Sequence, residues 1–242
     1  MQHLYLLTFT LLTFVGFAQR TPNEVQAGTF KRFEIGISAS PEICYRTLLN
    51  NDGSQNSTSI INYRNENETV KMGYTGGLHL GYNFNERFGF QTGIQYTNRG
   101  FSTKKIDIAG SLIDPVVPES FKYNYNYQYL EIPTKVNFSF GTNRMRLTTS
   151  AGVSTAFLIK QSRTYIANFK DSTTRQDITS IDTYNRFNLF ATISAGLEMH
   201  ISPIMRIKVE PTFRYGLLKI TDTPVSGHWY SGGLNVSYLV RL

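Results

Sequence analysis

The side chains of this chain with the means for catalysis or metal binding are few: four histidines, one cysteine and a sparse set of carboxylates. His228 stands beside Ser226 and Ser231, the kind of neighbourhood in which an imidazole activates a hydroxyl for acyl transfer. A lone histidine near serines is more often a surface residue than a base, because catalysis also needs the proton-transfer geometry. His3 lies in a leading apolar segment, His200 in a short turn, and His79 on the polar side of an alternating segment. Glu131 and Glu198 occur singly on such segments, where pairing with arginine is the plain expectation, and paired-carboxylate chemistry would require an open cleft. A single cysteine excludes an intramolecular disulfide and any all-cysteine metal site, and Cys44 reads as a small inward-packing side chain. The chain has no Gly-x-x-x-x-Gly-Lys-Ser/Thr loop, no His-Glu-x-x-His and no calcium loop of EF-hand spacing. The expectation is no catalytic residue, no metal site and no cofactor.

The elements that must position these residues follow from composition and pattern. The chain has 242 residues, 40% hydrophobic and 17% charged, with 15 Tyr, 17 Phe and 19 Gly. That balance fits neither a disordered polyelectrolyte nor a bundle of membrane helices. From Leu4 to Ala18 the chain is almost wholly apolar, and Gly16, Phe17 and Ala18 put small residues where a signal peptidase cuts. This segment falls short of the roughly 20 residues of a membrane-spanning helix. Residues 1–18 therefore read as a cleaved secretory signal, 19–32 as a short periplasmic tail and 33–242 as one domain. The segment before Leu4 lacks the usual Lys or Arg, and no cysteine follows the apolar core to carry a lipid anchor.

The domain alternates with a period of two. Val70, Met72, Tyr74, Leu78, Leu80 and Tyr82 share one face, opposite Lys71, Gly73, Thr75, Gly77, His79 and Gly81. The pattern continues after the turn at 84–87 and predicts strands at 33–46, 69–83, 88–102, 123–140, 146–161, 183–199, 205–219 and 228–242. All exceed the usual length of soluble strands and suffice for a tilted membrane strand of about 9 to 11 residues. Connections at 84–87, 141–145 and 200–204 are short. Those at 47–68, 101–122, 162–182 and 220–227 are longer and polar, and read as solvated, mobile loops. Short turns at one end and long loops at the other predict an all-β, eight-stranded antiparallel up-and-down transmembrane barrel with periplasmic turns and extracellular loops.

A soluble lipocalin-like barrel also alternates, with its apolar face inside. Here that face carries Phe33, Ile35, Tyr74, Leu78, Phe88, Phe90, Tyr96, Phe138, Phe157, Leu189, Ile193, Phe213, Leu234 and Tyr238, too bulky for an eight-stranded interior. The opposite face is glycine-rich. Apolar side chains are therefore expected to face lipid, with an aromatic girdle that includes Tyr74, Tyr96, Tyr215 and Tyr230 near the loops and Phe88, Phe138 and Tyr238 near the turns. The run 123–129, with Tyr at every second position, is expected to protrude above the membrane, with a bulge at Tyr129 or Leu130 restoring the outward register of Ile132, Val136 and Phe138, and Pro133 at the irregularity.

The net charge of +7 raises the question of nucleic acid, but the long loops are acidic on balance and the basic surplus falls in the wall, turns and tail. By parity Lys71, Arg99, Lys135, Arg186, Lys208 and Arg214 face the lumen with Glu131, Glu198 and Glu210, as do Arg46, Arg146, Lys160, Arg206, Arg241, Glu34 and Glu42. The expectation is a polar interior network rather than an open channel, since eight strands leave the interior filled.

The leader ending at Ala18-Gln19, the hairpin from Gly77 to Phe88, the block Tyr129-Leu130-Glu131-Ile132-Pro133 and the following Ser150-Ala151-Gly152-Val153-Ser154 resemble the PorT-like outer-membrane β-barrel family of Bacteroidetes-type bacteria. The resemblance spans essentially the whole mature chain and is most specific in the block at 129–133. It implies an integral barrel in the cell outer membrane, usually of unassigned function, with one branch belonging to a protein-secretion machine. It carries no catalytic residues. Leu242 stands where such barrels commonly end in an aromatic, which would make recognition by the barrel-assembly machinery less efficient. The expected partners are outer-membrane lipid and lipopolysaccharide, the barrel-assembly machinery, and secretion-system or other envelope proteins, with no nucleic acid. With neither a plug domain before the barrel nor a peptidoglycan-binding domain after it, the loops and the wall are the expected interaction surfaces. The leading expectation is a non-enzymatic envelope component or secretion-complex accessory. A small-solute pore and a lipid A-modifying enzyme are the alternatives, the latter resting on His228.

Overall fold

The computed structural model describes residues 31–108, 117–141, 144–179 and 184–242. The leader expected at 1–18 and the tail as far as residue 30 lie outside the described residues. Eight long strands form the wall: β1 (Phe33–Asn50), β3 (Lys71–Asn83), β4 (Phe88–Thr103), β6 (Ser120–Phe140), β7 (Met145–Asn168), β9 (Phe187–His200), β10 (Met205–Gly216) and β11 (Val225–Arg241). Three short strands accompany them, β2 (Glu68–Thr69), β5 (Ile106–Asp107) and β8 (Thr173–Thr179), with one helix, α1 (Gln55–Asn67).

Every pairing is antiparallel, and each wall strand lies beside its neighbours in the order β1, β3, β4, β6, β7, β9, β10, β11. The ring closes because β1 pairs on both edges: Glu34 stands opposite Gly81 of β3 and Arg241 of β11. Closure removes the unpaired edges of a sheet. Side chains alternate strictly along β1, with Glu34, Gly36, Ser38, Ser40 and Glu42 buried and Phe33, Ile35, Ile37 and Ile43 exposed. The apolar face is the outer one: Leu78, Ile94, Ile193 and Phe213 are among its exposed residues. The inner face holds the polar and charged side chains. Glycine serves this narrow interior by close approach; a Cβ on Gly93 would come within 2.0 Å of the Leu78 carbonyl oxygen of the paired strand.

The long connections are more built than their polar composition suggests. The first contains α1, whose N-cap Ser54 accepts the Ser57 backbone N–H through Oγ at 3.1 Å. Asn50 Nδ2 donates to the Ser54 carbonyl at 2.9 Å, and Asp52 Oδ1 accepts the Ser54 N–H at 3.0 Å. Ser57 is the only buried residue of α1, so the helix is held by its cap and side-chain bonds rather than by an apolar stripe. In the loop after β7, that strand runs on to Asn168 and β8 folds back along it, Ser162 opposite Thr179 and Asn168 opposite Thr173.

Two corrections follow from register. The tyrosine run keeps its parity: Tyr127, Tyr129, Glu131, Pro133 and Lys135 are all buried on the inner side, with Leu130, Ile132 and Val136 exposed. The irregularity lies across the ladder, where Gln128 pairs with Lys160 and Tyr129 with Leu158, leaving Ile159 of β7 as the extra residue. That one residue turns Lys160 to the exposed face, so Lys160 does not enter the lumen. Arg186 does not either. It is an exposed bend immediately before β9, and the alternation that places Asn188 and Phe190 inside begins only at Phe187.

Candidate functional site: the filled lumen and its mouth

From the turn end upward, the interior is a stack of layers. At the bottom, Arg206 pairs with Glu34 and reaches Glu198 Oε1 at 2.7 Å. Asn83 donates to Glu34 at 3.0 Å and Ser139 to Glu198 at 3.4 Å. Above this, His79 Nε2 lies 2.5 Å from Ser38 Oγ, Lys208 Nζ lies 3.2 Å from Glu210 Oε1, and Lys135 is buried nearby on β6.

The middle layer is organised on two carboxylates. Glu42 pairs with Arg214 and accepts from Thr75 at 2.6 Å and Ser231 at 2.7 Å. Glu131 takes Arg99 Nη2 at 2.5 Å. Lys71 Nζ donates to Asn98 Oδ1 at 3.0 Å. A charge removed from water is tolerated only where partners of this kind surround it. The sequence-derived lumen residues Lys71, Arg99, Glu131, Lys135, Glu198, Lys208, Glu210 and Arg214 are all buried, while Arg186 is not among them.

Above the charged layers the lumen is closed by aromatic rings, which reading the sequence missed. Phe101, Tyr127, Tyr129, Phe190 and Trp229 are buried together with Ala156 and Ile220. Trp229 lies 4.7 Å from Tyr127 between ring centroids, and its Nε1–H donates to the Tyr129 hydroxyl at 3.1 Å. Tyr125, half-buried, stacks on Phe101 at 4.5 Å at the edge of this cluster. Two guanidinium groups bind the rings to the charges: Arg99 sits 3.8 Å over Phe190 and Arg46 3.7 Å over Phe101. Arg46 is further fixed by a fork onto Glu68, 2.7 and 2.9 Å. The signal for the cluster was present in the chain, because Tyr127 and Tyr129 share parity with Glu131.

On the outer face, Tyr74 and Tyr96 lie 6.1 Å apart, Tyr230 meets Tyr45 at 6.0 Å, and Tyr215 stacks on His228 at 5.7 Å. Toward the turns Phe88 stacks on Phe84 at 5.4 Å and Phe138 meets Phe140 at 4.5 Å, and Tyr238 is exposed on β11. The histidine of interest is not assembled for acyl transfer. His228 Nδ1 lies 2.9 Å from the Gly216 carbonyl oxygen, while Ser231 points to the inner face and donates to Glu42. Ser226 is buried, and its hydroxyl makes no hydrogen bond to His228. Among the described residues no three His, Cys, Asp or Glu side chains are grouped to hold a metal ion.

Outside the aromatic cluster a cavity of about 340 Å³ opens at the long-loop end, lined by residues that include Arg46, Arg64, Tyr184, Ile220 and Ser226. The chain matches the model of the outer membrane protein beta-barrel domain over residues 17–222. It belongs to that family. The barrel is accordingly an outer-membrane protein, and its exposed apolar belt faces lipid. Among solved structures, it is similar to Neisserial surface protein A, with 11% identity, a TM-score of 0.47, and 87% of this chain and 97% of that one covered. It is also similar to OprG of Pseudomonas aeruginosa, with 11% identity, a TM-score of 0.47 and coverage of 89% and 99%. Ail of Yersinia pestis aligns with 14% identity, a TM-score of 0.39 and coverage of 87% and 99%. None of the curated proteins matches the chain.

Proposed function

We propose that the barrel is a non-enzymatic envelope component that works by binding partners through its long-loop end and its outer wall. The observation that carries this reading is the contrast between the two regions. The lumen is filled by ion pairs and sealed by rings around Trp229, whereas the long loops fold into α1 and the β7–β8 hairpin. A sealed barrel with built loops is suited to presenting a surface rather than passing a solute. In this reading the short turns and the N-terminal tail face the periplasm and the long loops face outward. The barrel wall takes lipid and lipopolysaccharide, and the barrel-assembly machinery inserts the chain.

The resemblance to the PorT-like family supports a finer version, in which the barrel is an accessory of a secretion complex. The test is extraction of the tagged protein from its native outer membrane in mild detergent, followed by identification of co-purifying proteins. A stoichiometric set of envelope proteins, lost when 162–179 is replaced by a short turn, is the expected result. A clean monomer in mild detergent, with export and surface adhesion unchanged on deletion of the gene, would overturn the proposal.

A further inference from the structure

The cavity at the long-loop end lies outside the aromatic seal, so whatever occupies it approaches from the loop side and stops there. Its volume of about 340 Å³ falls at the lower end of the range for small-molecule sites, roughly 300 to 1,000 Å³. The lining divides by chemistry. Leu48, Ile220 and Val225 provide an apolar wall, and Tyr184, which packs against the buried rings, adds an aromatic face. Arg46 and Arg64 provide two guanidinium groups.

The charges around the cavity do not cancel. Arg46 is 7% exposed and satisfied on one side only, by its fork onto Glu68, while its Nε–H has no partner. Arg64 makes no ion pair among the described residues. The Ser226 hydroxyl, on a residue 2% exposed, is also without a partner. Two guanidinium groups in the lining against the one carboxylate of Glu68 leave a net positive site, which favours a ligand that supplies an anionic acceptor. The carrier of Arg64 is α1, a helix with no apolar stripe, held in place through its N-cap and the Asn50 side chain.

We propose that this cavity binds a compact amphipathic anion: an oxyanion head such as a carboxylate held by Arg64 and Arg46, on a short apolar body against Leu48, Ile220 and Val225. Binding would reach the aromatic cluster through Ile220 and Tyr184, which puts the single tryptophan, Trp229, close enough to report it.

The experiment uses the full chain purified in a non-ionic detergent, titrated with sodium hexanoate and followed by Trp229 fluorescence and by calorimetry. Sodium acetate tests the head alone and hexanol the body alone. Folding of each variant is checked by its heat-modifiable migration on gels. The expected result is saturable hexanoate binding, with acetate and hexanol each much weaker. Arg64→Gln should weaken hexanoate binding by about tenfold. Leu48→Glu, which places a carboxylate in the apolar wall, should abolish it, and Lys170→Gln, on an exposed residue outside the cavity lining, should leave it unchanged. Equal binding by wild type and Arg64→Gln, acetate binding as tightly as hexanoate, or no saturable response by either method would each overturn the proposal.

Discussion

Trp229 of the last strand donates its indole N–H to the hydroxyl of Tyr129, 100 residues earlier in the chain, at 3.1 Å across the barrel interior. Both residues are fully buried, so the bond joins opposite parts of the wall inside the ring cluster. Tyr129→Phe keeps the ring and strands the indole donor. The expected cost is about 1–3 kcal/mol, the range for leaving a buried donor unsatisfied. Urea unfolding of the reconstituted barrel, followed through Trp229 fluorescence, measures it; a loss under a few tenths of a kcal/mol would mean that the hydroxyl is not the indole's partner.

Arg99 and Glu131 pair at 2.5 Å with almost no exposure of either side chain. Glu131→Leu alone leaves a buried guanidinium without its principal partner, and should destabilise the barrel by about 3–5 kcal/mol. Arg99→Met combined with Glu131→Leu should recover most of that loss, because two apolar side chains of similar volume need no counter-charge. Equilibrium unfolding of the two single variants and the double variant would show this as strong non-additivity.

The seal and the charged layers act in series. Planar-bilayer recording of the wild-type barrel should show no steady conductance, and Trp229→Ala alone should not create one, since Arg99, Glu131, Glu42 and Arg214 still fill the section beneath. A stable ion current through either protein would refute the filled-lumen description.

Side-chain facing is directly measurable. In a Cys44→Ser background, Lys160→Cys and Arg186→Cys should react quickly with a water-soluble maleimide, whereas Lys135→Cys and Lys208→Cys should stay protected in the folded barrel. Protection of position 160 would place the extra residue of the β6–β7 ladder somewhere other than Ile159.

Asp52 offers a pH-dependent handle on the first loop. The Ser54 backbone N–H, and after it the Ser57 side chain, hold its carboxyl below the usual carboxylate range. A depressed folded-state pKa stabilises the loop above the unfolded value of about 3.9, and that contribution is lost as the pH falls through the folded-state value. NMR titration of Asp52 should therefore give a midpoint below 3.9, returning toward it in Ser57→Ala, whereas an ordinary midpoint in the wild type would argue against the turn before α1.

The fold was legible because lipid enforces alternation: Phe33, Ile35 and Ile37 could be separated from Glu34 and Gly36 between them by counting in twos. Counting fails where a strand changes step. Ile159 is an ordinary β-branched residue with nothing in its neighbourhood to mark it as supernumerary, and Lys160 was misassigned for that reason. Arg186 was misassigned because a parity argument does not know where a strand begins. The ring cluster was hidden by the expectation that the tyrosine run protrudes above the membrane and breaks parity at Tyr129 or Leu130, although Tyr127 and Tyr129 share the parity of Glu131. The structure of the first loop depends on Ser54, Asn50 and Asp52 bonding to nearby backbone, a pattern that polar loops also show without any helix.

The seam between β1 and β11 gives biogenesis a direction. Glu34 finds its partner Arg241 only after nearly the whole chain has been synthesised and delivered, so every shorter nascent fragment keeps two open edges. The Glu42 layer spans the same seam, because its ligands Ser231 and Arg214 lie near the far end of the chain while Thr75 lies close by. The last hairpin therefore acts as a zip: until it arrives, the Glu42 carboxylate carried by the first strand lacks both the Arg214 guanidinium and the Ser231 hydroxyl.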